Sequence, residues 1–146
     1  MRKIVLAVAM AMLPGVAAAC EVLEPFQMAR IGGAELVIVG EVTGYQDLGT
    51  AWGSALVTVE VEEVLKGRAK GEVTFIWNGG MAQGPHESRA KGWVLIGAKK
   101  AGRIAVSDMV TDVRPDLPAI VQPYCGEVWM LPATPAIVSD AKKQLE

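Results

Sequence analysis

Histidine and cysteine are almost missing from this chain, with one His and two Cys in 146 residues. A lone His86 cannot supply a His-based zinc set or a Ser-His-Asp relay without partner residues. Cys-x-x-Cys, His-Glu-x-x-His, Gly-x-Ser-x-Gly and phosphate-loop spacings do not occur. The nearest approach to an anion nest is Gly79-Gly80, and no Lys or Ser/Thr follows it at the spacing a phosphate loop needs. The sequence thus points to no catalytic residue, no metal ligands and no cofactor. Basic runs are also scarce. Lys66, Arg68 and Lys70 cluster, in a tight turn that reads as solvated. Nothing resembles a patch for phosphate backbones or anionic lipid, so nucleic acid is not an expected partner.

Long hydrophobic runs are limited to one, at the very start. Arg2 and Lys3 precede an apolar stretch from Ile4 to Leu13, Pro14-Gly15 interrupts it, and Ala17 and Ala19 supply the small residues of an A-x-A cleavage site. A membrane span needs roughly 20 apolar residues, so this run is too short. Residues 1–19 read as a cleaved signal peptide, with the mature chain starting at Cys20. Removing 19 of the 146 residues leaves 127, one domain of ordinary size. Two of the 14 basic residues leave with the segment, so 12 face 16 acidic ones for a net charge of −4. No later run is long enough to span, so no integral membrane span is expected. The protein is read as periplasmic or secreted.

The cysteines are Cys20 and Cys125. An even count in an exported chain favours a disulfide. The loop it closes is about 100 residues, for which loop-closure entropy gives at most ~4.7 kcal/mol, with about 2–4 more typical. The alternative is a lipid anchor, since -Ala18-Ala19-Cys20 partly matches an acylation site. Position −3 is Ala17, where such sites usually carry Leu. An unpaired Cys125 would also be a liability in an oxidising compartment.

The mature chain reads as a β domain with helices at its ends. Residues 24–31 suggest a short helix with Pro25 in its first position, ended by Gly32-Gly33. Residues 35–42 are a β-branched strand, and Gly40 within it signals a bulge or bend. Ala55, Val57, Val59 and Val61 alternate with Leu56, Thr58, Glu60 and Glu62, a strand with one buried face. A bulge at Glu62-Glu63 would return Val64 to that face. Residues 72–77 form a third strand with Val73, Phe75 and Trp77 on one side. Residues 78–92 form a long loop, a type of segment that is often functional. Residues 93–98 are a nearly all-apolar fourth strand, and residues 103–108 a fifth. Residues 110–123 are proline-rich and read as irregular, and residues 125–130 as a short extended piece. Thr134-Pro135 opens a C-terminal helix whose Ile137, Val138, Ala141 and Leu145 share a face. Five strands with short turns predict an all-β fold with flanking helices, a five-stranded OB-type barrel rather than a sandwich of about seven strands. Val57, Val59, Val61, Phe75, Val94 and Ile96 are its expected core.

Four segments together carry a resemblance. They are the stretch from Ala34 to Val42 with its Val37-Ile38-Val39-Gly40-Glu41-Val42, the run from Val57 to Lys66-Gly67, the polar loop leading to Gly92-Trp93-Val94-Leu95-Ile96, and Cys125-Gly126. In this order, behind an N-terminal mature cysteine, they resemble the netrin-like or TIMP-like OB fold of small exported bacterial proteins. The resemblance covers residues 20 to about 130. It implies that Cys20 and Glu21 occupy the position where animal relatives carry an inhibitory tip, a terminal amine and carbonyl that chelate a metalloprotease zinc. The chain departs from that pattern: Val22 replaces the second Cys, only one disulfide can form, and Glu21 is charged. What carries over is the fold.

Two residues remain as candidate surface contacts, Trp52 in a polar turn and His86 in the long loop, while Trp77 belongs to the core. The expectation is a non-catalytic binding module for a protein or cell-envelope partner. A metallopeptidase inhibitor and a surface lipoprotein are the alternatives.

Overall fold

The computed structural model describes residue 20 and residues 22–50, 53–79, 84–100, 114–123 and 125–146. The signal segment 1–19, Glu21, Trp52 and the expected strand at 103–108 lie outside the described residues. Among the described residues there are six strands: β1 Leu36–Asp47, β2 Ser54–Lys66, β3 Glu72–Asn78, β4 Gly92–Lys99, β5 Ala119–Ile120 and β6 Met130–Pro132. A 3-10 helix, Met28–Gly33, precedes them, and α1, Pro135–Leu145, follows.

The alternation in residues 55–61 builds β2 as expected, and β2 pairs antiparallel with both β1 and β3. The bulge is present. Gly40 faces Val61 and Val39 faces Glu63, so Glu62 is the extra residue. The shift returns Val64 to the inner cluster, while Leu65 packs against the outer one. On β1, Gly40 sits where the Glu60 backbone and the Val59 side chain leave no room for a Cβ. A glycine is required there for the two strands to approach.

β1 also pairs with β4, β4 with β5, and β5 runs parallel to β3. The sheet order β1-β2-β3-β5-β4, with β4 returning to β1, closes five strands into an OB-type barrel. The closing strand is Ala119–Ile120, inside a stretch the sequence gives as irregular. Two residues between Pro118 and Pro123 offer no alternation to read. Backbone bonds hold them: Ile76 N–H donates to the Pro118 carbonyl at 2.9 Å, Val121 N–H to Gly97 at 3.0 Å, and Trp129 N–H to Val121 at 2.8 Å.

The barrel interior holds all six expected core residues, with Val61 only partly buried, together with Ile38, Trp77, Ile120 and Val128. Trp77 is fully buried and donates its Nε1–H to Gln122 Oε1 at 2.7 Å. A second cluster lies outside the barrel, between Val37, Val39 and Leu95 of the sheet and Ile31, Ile137, Val138 and Ala141 of the helices. Thr134 caps α1, its Oγ1 accepting from Ile137 N–H at 3.3 Å.

The N-terminal helix differs from the expectation. It starts at Met28, not Pro25, and it includes both glycines. The backbone before it is otherwise engaged. Glu24 N–H donates to the Cys125 carbonyl at 2.7 Å, and Glu127 N–H donates to Glu24 at 3.0 Å. Phe26 N–H donates to Glu127 Oε2 at 3.0 Å. With Glu24 and Phe26 bonded across to residues 125–127, the helix starts after them. Lysines take its last carbonyls, Lys66 Nζ donating to Gly32 at 2.6 Å and Lys99 Nζ to Gly33 at 2.8 Å.

Candidate functional site

The start of the described chain is fastened to the barrel. Cys20 and Cys125 are disulfide-bonded, with 5.4 Å between their Cα atoms and a sequence separation of 105. A parallel bridge between Glu24 and Gly126 continues the attachment. The Phe26 ring then meets Trp129 edge-on, centroids 5.9 Å apart. Arg30 pairs with Glu24 at 2.7 Å. Against this tethered segment Val22 stands out, with 78% of its surface exposed.

Next to the tether is a groove of about 440 Å³, lined by Ser88, Arg89, Lys91, Glu127, Val128 and Met130. Glu127 joins the two features, because the same residue accepts from Phe26 N–H. The groove has an apolar floor and charges of both signs on its rim.

His86 is exposed and occupied locally. Its Nδ1 accepts from Ser88 N–H at 3.2 Å and lies 2.8 Å from Ser88 Oγ. In the neutral ring the proton therefore sits on Nε2. The turn is closed by Arg89 N–H donating to the His86 carbonyl at 3.0 Å. These bonds give His86 a turn-forming part. Among the described residues, no group of three or more His, Cys, Asp and Glu is placed to hold a metal ion.

The tryptophans separate by environment. Trp77 and Trp129 are buried, while Trp93 is 49% exposed. Sequence reasoning placed Trp93 in an apolar central strand and did not single it out. The register shows what it belongs to. Trp93 faces Glu41, Glu41 faces Glu60, and Glu60 faces Glu72, a continuous row across β4, β1, β2 and β3. A threonine set lies beside the row. Thr43 Oγ1 donates to Glu72 Oε2 at 3.1 Å, and Thr58 and Thr74 share a hydroxyl contact of 3.1 Å. The outward position of Glu60 is visible in the alternation of β2. The row itself is not, because it depends on pairing between strands distant in sequence.

Among the described residues, titration is shifted at Tyr45 and at the Arg114–Asp116 pair, where both partners move. Burial, then the charges of Asp47 and Glu87, raise the Tyr45 phenol. A hydrogen bond from Arg114 lowers the Asp116 carboxyl in an exposed pair. Neither touches the tether or the row of glutamates.

The fold defines the class, a closed OB-type barrel with flanking helices and one disulfide. No model of a known protein family matches the chain, and no curated protein matches it significantly. Among the described residues, no helix is long and apolar enough to cross a membrane.

Proposed function

We propose that this chain is an exported, non-catalytic binding module of the netrin-like type, cleaved after Ala19, that meets its partner through the end of the barrel carrying the tether. The observation that supports this most is the double attachment of the segment after Cys20, by the disulfide and by the Glu24–Gly126 bridge. A segment fixed in this way presents Val22 without the entropy cost of ordering a loose terminus on binding. The groove beside it offers apolar area with polar edges, a composition that suits a protein partner. The disulfide also takes up the Cys20 sulfur, the atom a lipid anchor would need.

Intact mass of the exported protein tests the processing. The expected mass is that of residues 20–146 less two hydrogens, and a diacylglyceryl adduct on Cys20 would replace this reading with a lipoprotein. A photo-crosslinking residue at Val22, compared with one at Glu146, tests the surface in cells making the full precursor. A discrete adduct from position 22 alone is expected, and absence of any adduct there counts against the reading. The exposure of Val22 beside a fixed Cys20 favours one second reading, a metallopeptidase inhibitor acting through Cys20 and Glu21. Titration against a panel of zinc endopeptidases decides it, since no inhibition at micromolar concentration removes that reading.

A further inference from the structure

The outer surface of the barrel is divided. On one half, Val37 and Val39 of β1 and Leu95 of β4 lie under the two helices. Two residues further along the same strands and on the same face come Glu41 and Trp93, both exposed. Glu60 and Glu72 extend this bare half across β2 and β3, also exposed. The helices stop short of it, and no element among the described residues is packed on it.

Like charges directly opposite each other on neighbouring strands destabilise a sheet. Here two such pairs are consecutive, Glu41 with Glu60 and Glu60 with Glu72. Among the described residues none of the three is ion-paired, although Lys142 pairs with Glu63 on the same strand as Glu60 at 2.7 Å. The fold therefore carries a row of like charges that an added cation would relieve. Among the described residues these glutamates do not converge into a group that could hold a metal ion. Trp93, half exposed, closes one end of the row, and an indole ring attracts a guanidinium or ammonium group.

We infer that the Trp93–Glu41–Glu60–Glu72 face docks a basic, extended polypeptide segment with Arg or Lys at every second residue. The spacing agrees with this. Four positions on adjacent strands span three steps of about 4.8 Å, roughly 14 Å. In an extended peptide, side chains on one face recur about every 6.8 Å, so positions i, i+2 and i+4 cover nearly the same length. One cation then lies over Trp93 and Glu41, the next over Glu60 and the third over Glu72. The threonine hydroxyls beside the row are within reach of the peptide's polar groups. This inference rests on the binding-module reading and assigns the chemistry of a partner to a second face of the barrel.

The test uses the disulfide-bonded protein and fluorescence anisotropy of a labelled eight-residue peptide of alternating Arg and Ser. Its control is the same peptide with Glu in place of Arg. The Arg peptide is expected to bind, and the Glu peptide is not. Replacing the row with Glu41→Gln, Glu60→Gln and Glu72→Gln should weaken binding at least tenfold, and Trp93→Ala about threefold or more. A matched triple elsewhere, Glu87→Gln, Asp140→Asn and Glu146→Gln, removes the same charge and should change affinity less than twofold. At low salt the row triple should also melt higher than the parent, because repulsion has been removed, and this confirms that the variant is folded. Equal losses in the two triples, or an Arg peptide that binds no better than the Glu peptide, would overturn the inference. A blank titration beside a discrete Val22 adduct removes this inference alone, whereas blanks in both experiments remove the binding-module reading with it.

Discussion

A methyl group added at Gly40 would drive into the Glu60 backbone and come within 2.6 Å of the Val59 side chain. Backbone cannot step aside as a flexible side chain can, so Gly40→Ala should destabilise by about 1–3 kcal/mol through overpacking. Urea unfolding measures this, and a midpoint equal to the parent's would show that β1 and β2 do not approach so closely. Tyr45 makes a different kind of residue-scale prediction. Burial and neighbouring carboxylates raise its phenol above the ordinary value of 10.0. The folded protein therefore holds this proton more tightly than the unfolded chain does. The associated stability is fully present below about pH 10 and is lost as pH rises through the folded-state value. Tyr45→Phe should flatten the fall in Tm above pH 9, and an unchanged slope would contradict the assignment.

Among the elements, α1 rests most visibly on one side chain. Thr134 Oγ1 satisfies Ile137 N–H, and the helix then lays Ile137, Val138 and Ala141 on the outer cluster. Thr134→Ala should cost about 1 kcal/mol, seen as a lower Tm, with helix content retained in circular dichroism. This helix was legible in the sequence because its signals are local: a cap, a first-turn proline and a 3.6-residue pattern. The long strands were legible for the same reason, through alternation and through Gly40. The elements that escaped depend on contacts distant in sequence. Ala119–Ile120 is too short to show a period and exists as a strand because β3 and β4 flank it. The 3-10 helix begins late because Cys125 and Glu127 engage the backbone at Glu24 and Phe26. The candidate surfaces followed the same rule. Cys20 and Cys125 were recoverable by counting, whereas the row from Trp93 to Glu72 required the register of four strands.

Across the whole molecule, the disulfide joins the two ends of the barrel sequence. Cys125→Ser should lower stability by about 2–4 kcal/mol without changing the fold, provided Cys20 is replaced by Ser as well to prevent intermolecular bonding. Guanidinium unfolding of the double variant checks this, and a loss below ~0.5 kcal/mol would mean that the bridge to Gly126 alone holds the segment. The position of β5 has a consequence for the order of assembly. A chain delivered N-terminus first, from a ribosome or through a translocation channel, has β1, β2 and β3 available early as a meander. Their sheet has two open edges until β4 arrives on one side and Ala119–Ile120 on the other. Every closing contact is non-local, a topology that folds slowly and leaves strand edges exposed meanwhile. Chains stalled before Pro118 should therefore be protease-sensitive, and those extended past Pro132 should be resistant. The barrel is thus a structure completed by its last quarter, and its vulnerable period is the time the chain waits for two residues between prolines.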